Sequence, residues 1–270
     1  MKETYKKPLI INEQIKYLHD FKNVEYNQVS EEEAMPILYE HTYINVITPF
    51  KHRFARKDKK GNVIRDKYGN HIYDRLVEFS EYYDAYNDER EKYPVIYKNI
   101  QRFETIFNSV VAYEAIHYYD IDSYQHFLDF VSALRRNLMN MSLKNEYTQN
   151  ACNNMTHELD KFPETMEKYD DIYIFMDRLS LSDIITVFRC LDSDLRSKIY
   201  KYLQQHDAVL GYMTFESFDE FLTRIVPIRN CISHFNSLEI LKMYLHIKTK
   251  TLRTSSDRKK YAKIIKKLSE

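Results

Sequence analysis

Apolar residues recur at helical spacing through most of this chain. Ile96, Ile100, Phe103, Phe107 and Val110, closing at Glu114, step by four and three, the narrow stripe of a helix lying along another helix. Segments at 123–143, 165–178, 181–190 and 193–205 carry weaker forms of the same period, and Ser180 with Asp183 forms a capping signature before the third. The connections are short, as antiparallel neighbours require. Phe215, Phe218, Leu222, Ile225 and Val226 open a further amphipathic helix running toward Arg229. Asn236 with Glu239 predicts the cap of the next, which carries Leu241 and Leu245.

The N-terminal part reads differently. The first 45 residues predict two short helices, and the Ser30/Glu33 capping box places a helix start near Glu31. Residues 43–54 are aromatic and β-branched. After them Asp-Lys-x-Gly-Asn occurs twice, eight residues apart, so that Gly61-Asn62 and Gly69-Asn70 bracket Val63 and Ile64. These turn signals predict a small β-ribbon or protruding loop, the only β-like stretch. The expected fold is mainly α: an N-terminal extension over 1–74, a helical bundle over 75–250 and a basic helix over 251–270.

Composition agrees with helix. Three glycines and six prolines among 270 residues leave few turn formers, and 30% of the chain is charged. The 24 tyrosines with no tryptophan fit helical aromatics turned toward a core better than a base-stacking surface. Cys152, Cys190 and Cys231 are odd in number and widely spaced, which suggests neither a disulfide framework nor a zinc site and fits a reducing cytoplasm. No signal-peptide-like run follows the start, and no window approaches the roughly 20 apolar residues that span a bilayer, so a soluble cytoplasmic protein without membrane partners is expected.

Net charge is zero, but its distribution is uneven. Residues 241–270 hold ten Lys/Arg against Asp257 and Glu270. Arg258, Lys259, Lys260 and Lys263 in that tail either meet phosphate or form a solvated helix face; both readings stand.

The cluster able to carry chemistry is Arg229-Asn230-Cys231-Ile232-Ser233-His234. Asn230 stands one helical turn before His234, where its amide can reach and orient the imidazole. His234 sits near a helix C-terminus, where unpaired carbonyls suit a proton-transfer group. Arg229 lies about 140° around the helix from His234, so one straight helix separates them, whereas two copies facing each other across a dimer seam bring them together. Pro227 is placed to bend the helix just before the motif. Histidine can move protons near neutrality and guanidinium can grip phosphate oxygens, a set suited to cutting RNA through its 2′-hydroxyl without metal or cofactor. The structural alternative is an ion-pairing Arg229 and a junction His234. Arg65 and His71 also fit the looser pattern of an arginine followed by a histidine after four to six residues, but they flank the polar turn, where no rigid element is expected to hold them. Cys231 reads as a buried, inert thiol. Gly-rich phosphate loops, Gly-x-Ser-x-Gly elbows and His-Glu-x-x-His are absent from the sequence.

The stretch from Leu222 through Arg229-Asn230-x-x-x-His234 resembles the signature of HEPN ribonucleases. The order Lys7-Pro8-Leu9 to Gln14-Ile15, Tyr43 to Pro49-Phe50, Phe103-Glu104 and the terminal Arg-Asn-x-x-x-His resembles the AbiD/AbiF group of the Abi-like abortive-infection family, over nearly the whole chain. The chain departs from that pattern at Ser233, where alanine is usual, and at Asn108, where an arginine is expected. Tyr86-Asn87-Asp88-Glu89-Arg90 holds a blurred Phe-Asp-Arg-x-Leu-Arg segment. The resemblance implies a HEPN-like bundle forming a homodimer that cuts RNA in a phage-defence or toxin setting. Arg229, Asn230 and His234 would be catalytic there, Glu104 supporting, no DNA target is expected, and a small RNA or protein antitoxin would restrain it. The rival is a non-catalytic RNA-binding or sensor protein in the same setting.

Overall fold

The computed structural model describes residues 8–59, 63–66, 71–142, 153, 156–157, 173, 176, 179–207, 210–211, 213–246 and 251–270. It is mainly α, as the periodicity predicts, and divides into two compact units.

The first unit comprises Met1–Pro94 and Asn230–Lys263. Helix α1 (Ile11–Lys22) ends on Asn23, whose left-handed backbone (φ 53°) is tolerated by asparagine. Helix α2 (Glu31–His41) begins where the capping box places it: the Glu33 N–H donates to Ser30 Oγ at 3.3 Å, and the Ser30 N–H donates back to the Glu33 carboxylate at 2.9 Å. Short helices α3 (Tyr43–Val46) and α4 (Lys51–Phe54) follow, then α5 (Phe79–Arg90). Leu18, Leu38, Val46, Phe50, Phe79 and Tyr82 fill the core among them.

The predicted β-ribbon is present as two isolated antiparallel bridges, Lys57 to Val63 and Arg65 to His71. Its turns, Gly61-Asn62 and Gly69-Asn70, lie outside the described residues. The ribbon is not the only β structure. Strands β1 (Val24–Glu25) and β2 (Val77–Glu78) pair in parallel, and β3 (Tyr244–His246) pairs antiparallel with β4 (Thr251–Leu252). Pairs two or three residues long are too short for alternation to register in sequence, and tertiary context decides them.

The second unit comprises Val95–Arg229 and Ile264–Glu270. Its elements come from α6 (Tyr93–Tyr118), α7 (Tyr124–Ser142), α8 (Leu181–Cys190), α9 (Ser193–His206) and α10 (Phe215–Ser233). The α6 stripe is buried at Ile96, Ile100, Phe103 and Phe107, but continues through Val111 and Ala115, leaving Val110 half-buried. Phe103 and Phe107 meet Phe221 of α10 and Phe188 of α8 edge to face, with centroids 5.1 and 5.5 Å apart. This aromatic cluster fixes α10 against α6. The Ser180 cap of α8 forms as expected. Most of the segment 165–178 lies outside the described residues.

The helix beyond α10 is α11 (Leu238–Met243), and among the described residues the Asn236 side chain does not take the Glu239 N–H as the predicted cap would. Instead the Glu239 N–H donates to Ser237 Oγ at 3.1 Å and to Glu89 Oε1 at 2.9 Å. A buried carboxylate from α5 thus supplies the acceptor, which no local pattern can announce. The C-terminal helix α12 (Ser255–Leu268) buries Tyr261, Ile264 and Leu268, one face at helical spacing.

Candidate functional site

Arg229 and Glu104 meet within the second unit. The Arg229 Nε–H donates to Glu104 Oε2 at 3.3 Å, joining α10 to α6. The Arg229 side chain is 37% exposed and that of Glu104 18%. One edge of the guanidinium is held by the carboxylate, while its two terminal nitrogens make no protein hydrogen bond among the described residues. That arrangement fixes a positive charge and leaves its fork open for two oxygens of an anion. Asn108, where the family pattern expects arginine, buries a side-chain oxygen that has no partner among the described residues.

Asn230, His234 and the residues after them as far as Lys263 belong to the first unit. The helix closes on a motif legible in its hydrogen bonds: Asn236 N–H donates to Cys231 O at 2.8 Å, and Phe235 N–H to Ile232 O at 2.9 Å. This is a Schellman closure with His234 as the cap and Phe235 in the left-handed position (φ 51°) that glycine normally fills. The His234 N–H donates to Asn230 O at 3.1 Å, which pins the backbone of the cap. The carbonyls of Asn230, Cys231 and Ile232 are therefore already paired and do not face the imidazole unpartnered, contrary to the sequence expectation. Both side chains are exposed, and no hydrogen bond joins the Asn230 amide to the His234 ring among the described residues. His234 is thus an imidazole presented to solvent on a rigid backbone.

The turn is braced by residues that sequence reasoning passed over. Arg90 Nη2 donates to Phe235 O at 2.5 Å, and the Tyr93 hydroxyl donates to Asn236 O at 2.7 Å. Tyr93 has one hydroxyl proton, so its oxygen faces Glu89 Oε2, 3.3 Å away, as an acceptor. Glu89 is best satisfied there when it carries a proton of its own. Burial pushes its carboxyl above the usual range, an effect that hydrogen bonds from Ser237 and the Glu239 N–H only partly offset. The sequence signal for this brace was the blurred family segment ending in Glu89-Arg90.

Charge gathers on the far side of Glu239. Its carboxylate lies 2.5 Å from Lys242 Nζ, 3.5 Å from Arg53 Nη2 and 3.9 Å from His52 Nε2. Burial alone would raise its pKa, but Lys242, His52 and Arg53 outweigh burial and hold it below the ordinary value. Burial lowers that of His52. Cys231 is buried, donates its thiol to Asn236 O at 3.2 Å, and is pushed up to about 12 by burial and by Glu89, an inert thiol as read from sequence.

The second Arg/His match is held more firmly than expected, since Arg65 and His71 pair across a β-bridge. Burial and the Arg65 charge bring His71 down to about 4, so near neutrality its half-buried ring is neutral and lacks the imidazolium proton that a general acid gives up. In the tail, Arg258, Lys259 and Lys263 are exposed on α12, whereas Lys260 is half-buried. Among the described residues no three His, Cys, Asp or Glu side chains converge as metal ligands, and no helix is long and apolar enough to cross a membrane.

Comparison with curated proteins and with solved structures found no match. A family model described as Abi-like protein matches residues 36–238, from within α2 through the Arg229–His234 motif to the start of α11. A match over most of the chain, ending just past the motif, establishes that the chain belongs to the Abi-like protein family, whose name points to abortive-infection defence.

Proposed function

We propose that this Abi-like chain is a metal-independent endoribonuclease of the HEPN type, acting in the cytoplasm as a homodimer within an abortive-infection system. The observation that supports it most directly is the pairing of roles along one helix end. Arg229 is a guanidinium steadied by Glu104 with its fork open, and His234 is an exposed imidazole on a braced cap. Residues five apart on a helix lie about 140° apart, so Arg229 of one copy and His234 of the other would flank the same phosphodiester.

The chemistry needs three services. A proton leaves the 2′-hydroxyl as its oxygen bonds to phosphorus; negative charge on the five-coordinate phosphorus is stabilised; and the departing 5′-oxygen receives a proton as its bond to phosphorus breaks. His234 serves the proton transfers and Arg229 the charge. The products are a 2′,3′-cyclic phosphate and a 5′-hydroxyl. Single-stranded or loop RNA is the substrate class, because its bases can splay away from the backbone.

Cleavage of single-stranded RNA in excess chelator tests this, and His234→Ala and Arg229→Ala are each expected to lose about 100-fold or more in rate. Activity that needs added metal, or that survives both substitutions, ends the reading. Salt-sensitive RNA binding intact in His234→Ala, with no product from the unaltered protein, would instead identify a protein that holds RNA without cutting it.

A further inference from the structure

A pocket of about 360 Å³ opens in the first unit beside the Schellman turn, lined by His41, Thr42, Asn45, Tyr86, Arg90 and Phe235 among others. Three features set it apart from an ordinary surface hollow. The first is Arg90. Its guanidinium lies over the Tyr86 ring, 3.6 Å from the centroid, and gives one nitrogen to Phe235 O. Its Nε and Nη1 are shut from solvent and have no hydrogen-bond acceptor among the described residues. Two orphaned donors on a cation are costly to bury and mark a place where an acceptor belongs.

The second feature is backbone strain. Thr42 (φ 63°) and Phe235 (φ 51°) hold left-handed conformations that disfavour β-branched and aromatic residues, and both line this pocket. Strain of this kind gathers at ligand clamps. The third is aromatic: Phe235 is 67% exposed at the rim, and the His41 ring packs on Tyr86 with centroids 5.2 Å apart. Among the described residues that line it one is a carboxylate, Glu40, whose oxygen lies 4.0 Å from His41 Nε2.

We infer that this pocket is a nucleotide subsite of the RNA, in which Arg90 takes a backbone phosphate and Phe235 stacks a base adjoining the phosphodiester at His234. The inference deepens the ribonuclease reading and rests on it for the identity of the polymer. An entering phosphate supplies the acceptor that Nε and Nη1 lack. Phe235, two-thirds exposed, is the part of the wall with room to turn as the phosphate enters. Because Phe235 directly follows His234, a base held on its ring sets the neighbouring phosphate in register with the imidazole. Sequence tolerance follows, since every base has a face to stack.

The test is binding of a single-stranded 2′-O-methyl RNA, which has no free 2′-hydroxyl to attack, by fluorescence anisotropy over a salt series, with thermal melts as a folding control. Arg90→Gln keeps the side chain's bulk and planarity without its charge. It is expected to weaken binding and to lower the slope of log affinity against log salt by about 0.7, the loss of one phosphate contact on a single strand. Phe235→Gly removes the ring and relieves the left-handed strain, so it should fold well; it is expected to lose about ten-fold in affinity with an unchanged slope. Arg90→Lys should retain the slope.

Wild-type affinity and slope in both Arg90→Gln and Phe235→Gly overturn the subsite, even if RNA is cut in a His234-dependent way. If no RNA is cut by any form, but the Arg90→Gln slope falls as stated, the subsite stands and the ribonuclease reading does not. Should Arg90→Gln fail to fold, unaltered affinity in Phe235→Gly still overturns the proposal.

Discussion

Phe235 is a costly residue for the position it holds. The left-handed conformation that completes the α10 cap disfavours an L-residue with a side chain by about 1–2 kcal/mol, and a ring 67% exposed recovers little by burial. Phe235→Gly is therefore expected to stabilise the protein by about 1 kcal/mol, reduced somewhat by the greater freedom of glycine in the unfolded chain. A melting temperature that falls would mean that the ring makes a stabilising contact worth more than the strain. If melting rises while RNA affinity falls, the aromatic side chain is retained for function against stability, a trade common at binding sites. Arg229 illustrates the same scale from the other side. Its identity and register were legible as text, but its engagement by Glu104, 125 positions earlier, is tertiary.

Helix α11 shows how one element depends on a distant group. Its Glu239 N–H takes Glu89 as acceptor, and Glu89 faces the oxygen of Tyr93, an arrangement suited to a protonated carboxyl. Burial raises its folded pKa, so ionisation opposes folding: its contribution to stability is fully present below the unfolded value, near 4.3, and is lost as pH rises through the folded value. Glutamine keeps an acceptor for Glu239 and offers an N–H to Tyr93 without titrating. Glu89→Gln is thus expected to match the unaltered protein near pH 4 and to become progressively more stable than it as pH rises toward 8, read as a higher melting temperature only on the alkaline side. A difference that is constant with pH would show that Glu89 does not titrate between the two states. The same element marks the limit of sequence reading. Helices α2, α6, α7, α8, α9 and α10 were legible because their periods and the Ser30 and Ser180 caps are local. The Glu89 cap, the β1–β2 pair and the Arg90 brace depend on residues about 50 to 150 positions apart, which periodicity cannot register. At the candidate site the residue types of Arg229, Asn230 and His234 were legible, while the Schellman closure was hidden because phenylalanine stands where glycine would have announced it.

At the scale of the whole molecule the ribonuclease reading makes a demand on stoichiometry. If each reacting phosphodiester is gripped by Arg229 of one copy and His234 of the other, a homodimer holds two such pairings. Arg229→Ala and His234→Ala homodimers then contain none that is complete. Mixed in equal amounts and allowed to exchange subunits, half of the dimers carry one copy of each variant. In those, one pairing joins the two substituted positions and is dead, while the other joins an intact arginine to an intact histidine. About a quarter of the unaltered activity should return on mixing, and it should fall again when dilution separates the subunits. A site completed within one chain predicts no recovery at any ratio, because every chain present lacks one of the two groups. Recovery without exchange, immediate and independent of protein concentration, would equally deny the seam, since preformed homodimers cannot complement one another until they part.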